Sequence, residues 1–246
     1  YVSLPTIRES DGAVEGLSFL YMQAKRMLEA RGHEALMKPY VCVNGQKQTL
    51  RPCWQREHCW IPTMTADMDS LTLRCTYLAP IGERAIALRL ELANQGDQPV
   101  ETEFGLRGDW AKTLHEINET TELIEGREVI RSGWNHMFVW VQRCGLPLFA
   151  IAPIVGDDQA FSEIDQGAEW EQEGFAYRIR KHGVLAAGEA QTLDVFWGVG
   201  YESVAASASA KELLRAGFDA AYGRTCEWLS AREKHVPQCE ELLNTN

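Results

Sequence analysis

The residues of this chain best suited to chemistry on a ligand are aromatic. Trp54, His58 and Trp60 fall close together in Arg51-Pro52-Cys53-Trp54-Gln55-Arg56-Glu57-His58-Cys59-Trp60. Trp110 follows Gly108-Asp109, and Trp134, His136 and Trp140 share a second short stretch. An indole beside Arg, Asp or His is an apolar platform with polar groups at its rim. That combination suits a sugar, whose ring has C–H faces and hydroxyl edges. Trp54, His58, Trp60, Trp110, Trp134 and His136 are therefore the candidate substrate-binding residues. The competing reading is that the eight tryptophans are packing residues of a large core.

Other chemistry is poorly supported. Glycoside hydrolysis needs two carboxylates at a set separation, but 35 acidic residues make any chosen pair arbitrary. Glu101 and Glu103 share one strand face, about 7 Å apart by strand rise, and read as a solvated face. No catalytic residue is assigned. His33, His58, His115, His136, His182 and His235 show no HxxxH or HxH spacing, so no metal site is expected. GxxxxGK, strand-anchored GxGxxG and GxSxG motifs are missing, which leaves no cofactor to propose. The seven cysteines are irregularly spaced and include no CxxC. They read as reduced thiols of a cytoplasmic protein, a metal or disulfide loop at Cys53 and Cys59 being the alternative. Asn118-Glu119-Thr120 matches a glycosylation acceptor, a triplet common by chance.

Composition sets the wider limits. The chain has 246 residues, 45% apolar and 24% charged, which is globular. Lys+Arg 24 against Asp+Glu 35 gives a net charge of −11. Such a surface repels phosphate backbones and anionic lipid, so neither nucleic acid nor membrane is expected as a partner. No apolar run reaches the ~18–20 residues of a membrane span. The chain starts at Tyr1 with no signal-peptide pattern, and the start looks trimmed.

These residues must be positioned by strands. Residues 1–37 form an N-terminal segment in which Leu17, Leu20, Ala24, Met27, Leu28 and Arg31 recur near helical spacing before Gly32. The spacing predicts a helix, with a pair of strands as the alternative. From residue 38 the period becomes two. Leu71, Leu73, Cys75 and Tyr77 alternate with polar residues, as do Ile86, Leu88, Leu90 and Leu92, then Val100, Thr102, Phe104 and Leu106. Turns at 79–83 and 94–98 would join these three strands into an antiparallel meander. Residues 122–124 and 128–131 flank Gly126 and read as a hairpin. Residues 137–143 and 146–155 are apolar on both faces and read as central strands, with Pro147 and Pro153 limiting the second. Residues 169–173, 175–181 and 191–199 complete a mainly β unit over 38–200, a large antiparallel two-sheet sandwich of ten or more strands.

Over 201–246 the period turns helical. A helix starts near Ser203 or at the capping box of Ser209 and stops at Gly217. Phe218, Ala221, Tyr222, Thr225, Trp228 and Leu229 then form an amphipathic stripe, ended by Pro237. A further helix begins at Cys239, barely started where the chain ends, so the chain is expected to be a piece of something longer.

A sandwich followed by a helical linker resembles the N-terminal super-sandwich domain of glycoside hydrolases and phosphorylases whose catalytic domain is an (α/α)6 barrel. Glucoamylase-like, trehalase-like and glycogen-debranching-like enzymes form this group. The resemblance rests on the strands of 71–107, the exit Gly200-Tyr201-Glu202 and the linker 218–232 with Glu227-Trp228-Leu229, and it covers 38–246. It implies an acid–base carboxylate pair, or an acid acting with phosphate, in a barrel outside this chain, so no catalytic residue transfers to any position. It also implies an oligosaccharide substrate and a partner in the catalytic domain of the same enzyme. The face carrying Phe218, Tyr222, Trp228 and Leu229 would lean on that domain, and the chain alone would self-associate, a homo-oligomer being one form of this, or bind hydrophobic dyes.

Two other readings compete. One is a mutarotase-like sugar epimerase, which needs a His acid and a carboxylate base converging in a cleft, with His58, His136 and Glu103 as members. The other is a non-catalytic carbohydrate- or protein-binding sandwich.

Overall fold

The structure, a computed structural model, describes residues 2–21, 26–31, 35–58, 60–110, 112–117, 120–124, 129–131, 138–142, 149–155, 161–165, 175–200 and 203–233, with side chains for 6–16, 35–58, 60–108, 178–199 and 204–232. In chain order the strands are β1 (Val2–Ile7), β2 (Val14–Tyr21), β3 (Arg26–Arg31), β4 (Lys38–Val43), β5 (Gln46–Lys47), β6 (Pro52–Glu57), β7 (Ile61–Met68), β8 (Leu71–Leu78) and β9 (Ala85–Asn94). They continue with β10 (Val100–Trp110), β11 (Lys112–Ile117), β12 (Thr120–Ile124), β13 (Val129–Arg131), β14 (Phe138–Gln142), β15 (Phe149–Val155), β16 (Phe161–Asp165), β17 (Phe175–Leu185) and β18 (Ala190–Gly200). Helices α1 (Ser203–Ala216) and α2 (Phe218–Glu233) follow.

Three antiparallel sheets result, where two were expected. The major sheet has eight strands in the order β13-β14-β15-β18-β9-β8-β7-β6. The minor sheet has five, β16-β17-β10-β4-β5, and the terminal sheet five, β1-β2-β3-β11-β12. The mainly β class holds, and so does the alternation in β8, β9, β10, β17 and β18.

Three local expectations are corrected. The segment predicted as an N-terminal helix forms β2 and β3, which pair with each other and with β1 (Phe19 opposite Leu28 and Val2). A ladder of non-local hydrogen bonds overrides helical spacing there. The meander breaks after its second strand. β8 pairs β9 with Cys75 opposite Leu90, but β10 joins β4 and β17 in the minor sheet. The third correction concerns 122–131. β12 pairs β11 in the terminal sheet and β13 pairs β14 in the major sheet, so the two are not a hairpin. The apolar strands β14 and β15 are central as expected, and pairing of β15 with β14 stops at Ile151, two residues before Pro153. The strand expected at 169–173 and the helix at 239 lie outside the described residues.

Asn94 explains how the chain changes sheet. It is buried at the end of β9, and its amide donates to the carbonyls of Gln98 (2.8 Å), Leu185 (3.2 Å) and Ala186 (3.2 Å). Its Oδ1 accepts from the Gly96 amide at 3.0 Å. One side chain thus ties the crossover from β9 to β10 to the crossover from β17 to β18.

The core follows from period two. Ile86, Leu88, Leu90 and Leu92 of β9 and Leu193, Val195, Trp197 and Val199 of β18 meet Val41, Phe104, Leu106, Ile179 and Leu185 of the minor sheet. The opposite face of the major sheet presents Leu78, Ala85, Ala87 and Phe196 to Ala206, Ala210 and Leu213 of α1 and Phe218, Ala221 and Leu229 of α2. Gly198 lets α1 approach, because a Cβ there would meet the Ala206 carbonyl oxygen at 2.0 Å. Gly217, at φ +80°, ends α1 with its amide on the Leu213 carbonyl at 3.0 Å, and α2 starts at once. Phe218 is 4% and Leu229 8% exposed. These side chains were expected to need a body outside the chain. They are instead covered by the major sheet, while Tyr222 is half-buried and Trp228 stays 36% exposed under the Arg232 guanidinium.

Candidate functional site

β6 is the edge of the major sheet, and its side chains alternate across it. Trp54 and Arg56 point to the side of the inter-sheet core, and Glu57 points to the side of the helices. Trp54 stacks at a tilt on Tyr77, ring centroids 5.9 Å apart, and its indole N–H donates to the Glu9 carbonyl at 2.9 Å. The segment carrying Glu9 is held rigidly. The Tyr77 hydroxyl, fully buried, donates to the Gly12 carbonyl at 2.6 Å. Gly12 has φ +72°, and a Cβ there would collide with Met64 and the Tyr77 hydroxyl. Arg8 grips Asp11 through Nε at 2.8 Å and Nη2 at 2.9 Å, Lys38 adds a second cation, and the Ala13 amide donates at 3.2 Å. Burial alone would raise the Asp11 carboxyl, but these hydrogen bonds outweigh it and pull the group down to about 2.

The turn from β6 to β7 is fixed from the other side. Glu57 accepts from the Tyr222 hydroxyl of α2 and from Arg74. Burial works against the Glu57 charge, yet the bonds from Tyr222 and Arg74 hold its carboxyl below the usual range. His58 takes φ +49° in this turn, and its Nδ1 lies 3.3 Å from the Ser230 hydroxyl. Trp60 follows and is 69% exposed.

Between these supports lies a groove of about 320 Å³ lined by Ile7, Glu9, Trp54, Gln55, Arg56, Trp60 and Pro62. Two of the six candidate residues therefore meet, Trp54 and Trp60. His58 is next to the groove but turned toward α2. Trp110 ends β10, with no side chain among those described, and Trp134 and His136 lie outside the described residues. Gln55 and Arg56 lie within the stretch that carries Trp54 and Trp60, whereas spacing in the sequence could not identify Glu9, which reaches the site only through the Gly12 loop. Chemically the groove offers an open indole face, a guanidinium, a carboxamide and a carboxylate. It can stack a ring and hydrogen-bond its hydroxyls.

Of the residues expected for the epimerase constellation, His58 and Glu103 do not meet, and His136 lies outside the described residues. His58 sits at the edge of the major sheet against α2. Glu103 lies on the outer face of the minor sheet, bonded to Tyr40 at 2.9 Å and Arg180 at 2.7 Å. Glu101 and Glu103 do share a strand face, but Glu103 is only 16% exposed and ion-paired rather than solvated. Among the described residues no group of His, Cys, Asp and Glu could hold a metal ion, and none of Cys42, Cys53, Cys75 and Cys226 is in a disulfide. No described helix is long and apolar enough to cross a membrane.

No family model matches the sequence, and no curated protein matches it either. Solved structures do share its fold. A protein described as a kojibiose phosphorylase from the human microbiome aligns over 95% of this chain and 31% of its own, with TM-score 0.58 and 8% identity. A bacterial glucoamylase complexed with acarbose aligns over 89% of this chain and 34% of its own, with TM-score 0.55 and 7% identity. A polysaccharide lyase aligns over 86% and 34%, with TM-score 0.55 and 12% identity. The chain thus spans about a third of the length of each, and at these identities the likeness is one of fold. That fold is shared with proteins named for acting on carbohydrate.

Proposed function

We propose that this chain is the N-terminal sandwich domain of a carbohydrate-active enzyme, a glycoside hydrolase or phosphorylase acting on gluco-oligosaccharides in the cytoplasm. Its role is to support and shape the active site of an (α/α)6-barrel domain that carries the catalytic carboxylates. The observation that carries this reading is the alignment of 95% of the chain with a third of a phosphorylase-named protein. The Trp54–Trp60 groove supports it, because an exposed indole flanked by Arg56 and Glu9 is a saccharide platform. The described cysteines, none of them in a disulfide, fit a reducing compartment.

The reading is tested by assaying the 246-residue protein and the polypeptide as the cell makes it, side by side. The longer polypeptide is expected to hydrolyse or phosphorolyse gluco-oligosaccharides, and the 246 residues alone to give no turnover on aryl glucosides. Good turnover by the 246-residue protein would refute the proposal.

A further inference from the structure

The outer face of the minor sheet carries a second polar constellation that the groove does not use. Three strands run in register there. Glu103 of β10 stands opposite both Cys42 of β4 and His182 of β17. Glu101 lies one row further along, and its Oε1, 3.2 Å from His182 Nε2, accepts when that ring nitrogen carries the proton. Arg178 approaches Glu103 at 3.9 Å. In the next row Gly105, between Tyr40 and Arg180, has no side chain, and a Cβ there would strike the Ile179 carbonyl oxygen. Beside that row lies a depression of about 280 Å³ lined by Cys42, Gly45, Glu101, Thr102, Glu103, Arg178 and His182.

We propose that this depression binds a neutral polyhydroxylated ligand of monosaccharide size, separately from the tryptophan groove. Its floor is preorganised, because Glu103 is held by the Tyr40 hydroxyl and the Arg180 guanidinium. Its walls are open, with the Glu101 and His182 side chains 57% and 52% exposed. A carboxylate only accepts, a guanidinium only donates, and an imidazole does both. Hydroxyl groups, which donate and accept, satisfy such a mixed set, whereas a simple anion or cation satisfies half of it. Charge points the same way. Glu101 and Glu103 share this face with Arg178 and Arg180, and Lys47 and Arg107 also act on Cys42, so carboxylates and cations are interspersed rather than gathered into a patch of one sign. The proposal is independent of the tryptophan groove and stands or falls without it.

The test is saturation-transfer NMR on the 246-residue protein with D-glucose, D-glucuronate and D-glucosamine as probes. Glucose is expected to bind more tightly than either charged analogue. The double variant Glu101→Gln with His182→Gln should weaken glucose at least fivefold, with an unchanged melting temperature because both side chains are more than half exposed. Trp60→Ala should leave glucose binding as it is. Glucose binding that survives the double variant, or that vanishes only in Trp60→Ala, overturns the second site and leaves the proposed function standing. No glucose signal at all also overturns it, as does preference for a charged analogue.

Discussion

Single side chains decide where the loops of this molecule go. Asp11 is the clearest titrating case. Its folded carboxyl sits near 2 against an unfolded value near 4, so its ion pairs contribute fully above pH 4 and are lost as pH falls from about 4 to about 2. The contribution is at most about 2 kcal/mol. Asp11→Asn should flatten the dependence of urea-unfolding stability on pH in that window and loosen the wall that Glu9 lends to the groove. An unchanged pH slope would show that the network is decorative. Asn94 makes the complementary uncharged case. Removing its amide leaves three carbonyls without that donor at the paired crossovers. Asn94→Ala should cost about 2–3 kcal/mol in urea unfolding, and a loss below 0.5 kcal/mol, on the order of a surface substitution, would contradict the role given to it. Neither residue was fully legible from its neighbours in the chain, because Lys38 reaches Asp11, and Leu185 and Ala186 reach Asn94, from distant segments. Trp54 and Trp60 were legible, because an indole near Arg and His is distinctive by type and the edge hairpin brings them together within a few residues.

At the scale of elements, period is what the sequence carries well. Strict alternation located β8, β9, β10, β17 and β18, the capping box at Ser209 and the stop at Gly217 located α1, and i, i+3, i+4 recurrence located α2. Partnership is what it carries poorly. β10 looked like the third strand of a meander, yet the connection at 95–99 ends in Pro99 and leads into the other sheet. The segment 17–31 has helical spacing but gains more from laddering β1, β2 and β3 than local propensity can offer. The fit of α1 on the major sheet is the element most open to test. Gly198→Ala places a methyl group against the Ala206 carbonyl and the Ala210 amide, and overpacking of this kind costs about 1–3 kcal/mol. Gly223→Ala in α2 meets nothing within 4 Å and should stabilise by about 0.5–1 kcal/mol through helix propensity. Opposite signs in matched urea titrations are expected, and two losses of equal size would show that α1 is not seated on Gly198.

At its central strands β9 and β18 the major sheet buries both faces, one against the minor sheet and one against the helices. That arrangement explains why Phe218 and Leu229 need no cover from elsewhere, contrary to the expectation from the amphipathic stripe alone. It also leaves the edge at β6 as the place where an exposed aromatic residue meets polar groups on rigid supports. The two tryptophans then have different jobs. Trp54 holds the Gly12 loop and packs on Tyr77, so Trp54→Ala should lower stability as well as binding. Trp60 is largely in solvent, so Trp60→Ala should remove a platform and little else. The most direct test is isothermal titration of maltose- and isomaltose-type oligosaccharides into the wild-type protein and Trp60→Ala at matched folding. The account predicts binding heat in the wild type and at least a tenfold loss of affinity in Trp60→Ala, about 1.4 kcal/mol. Heats identical in the two proteins would contradict it.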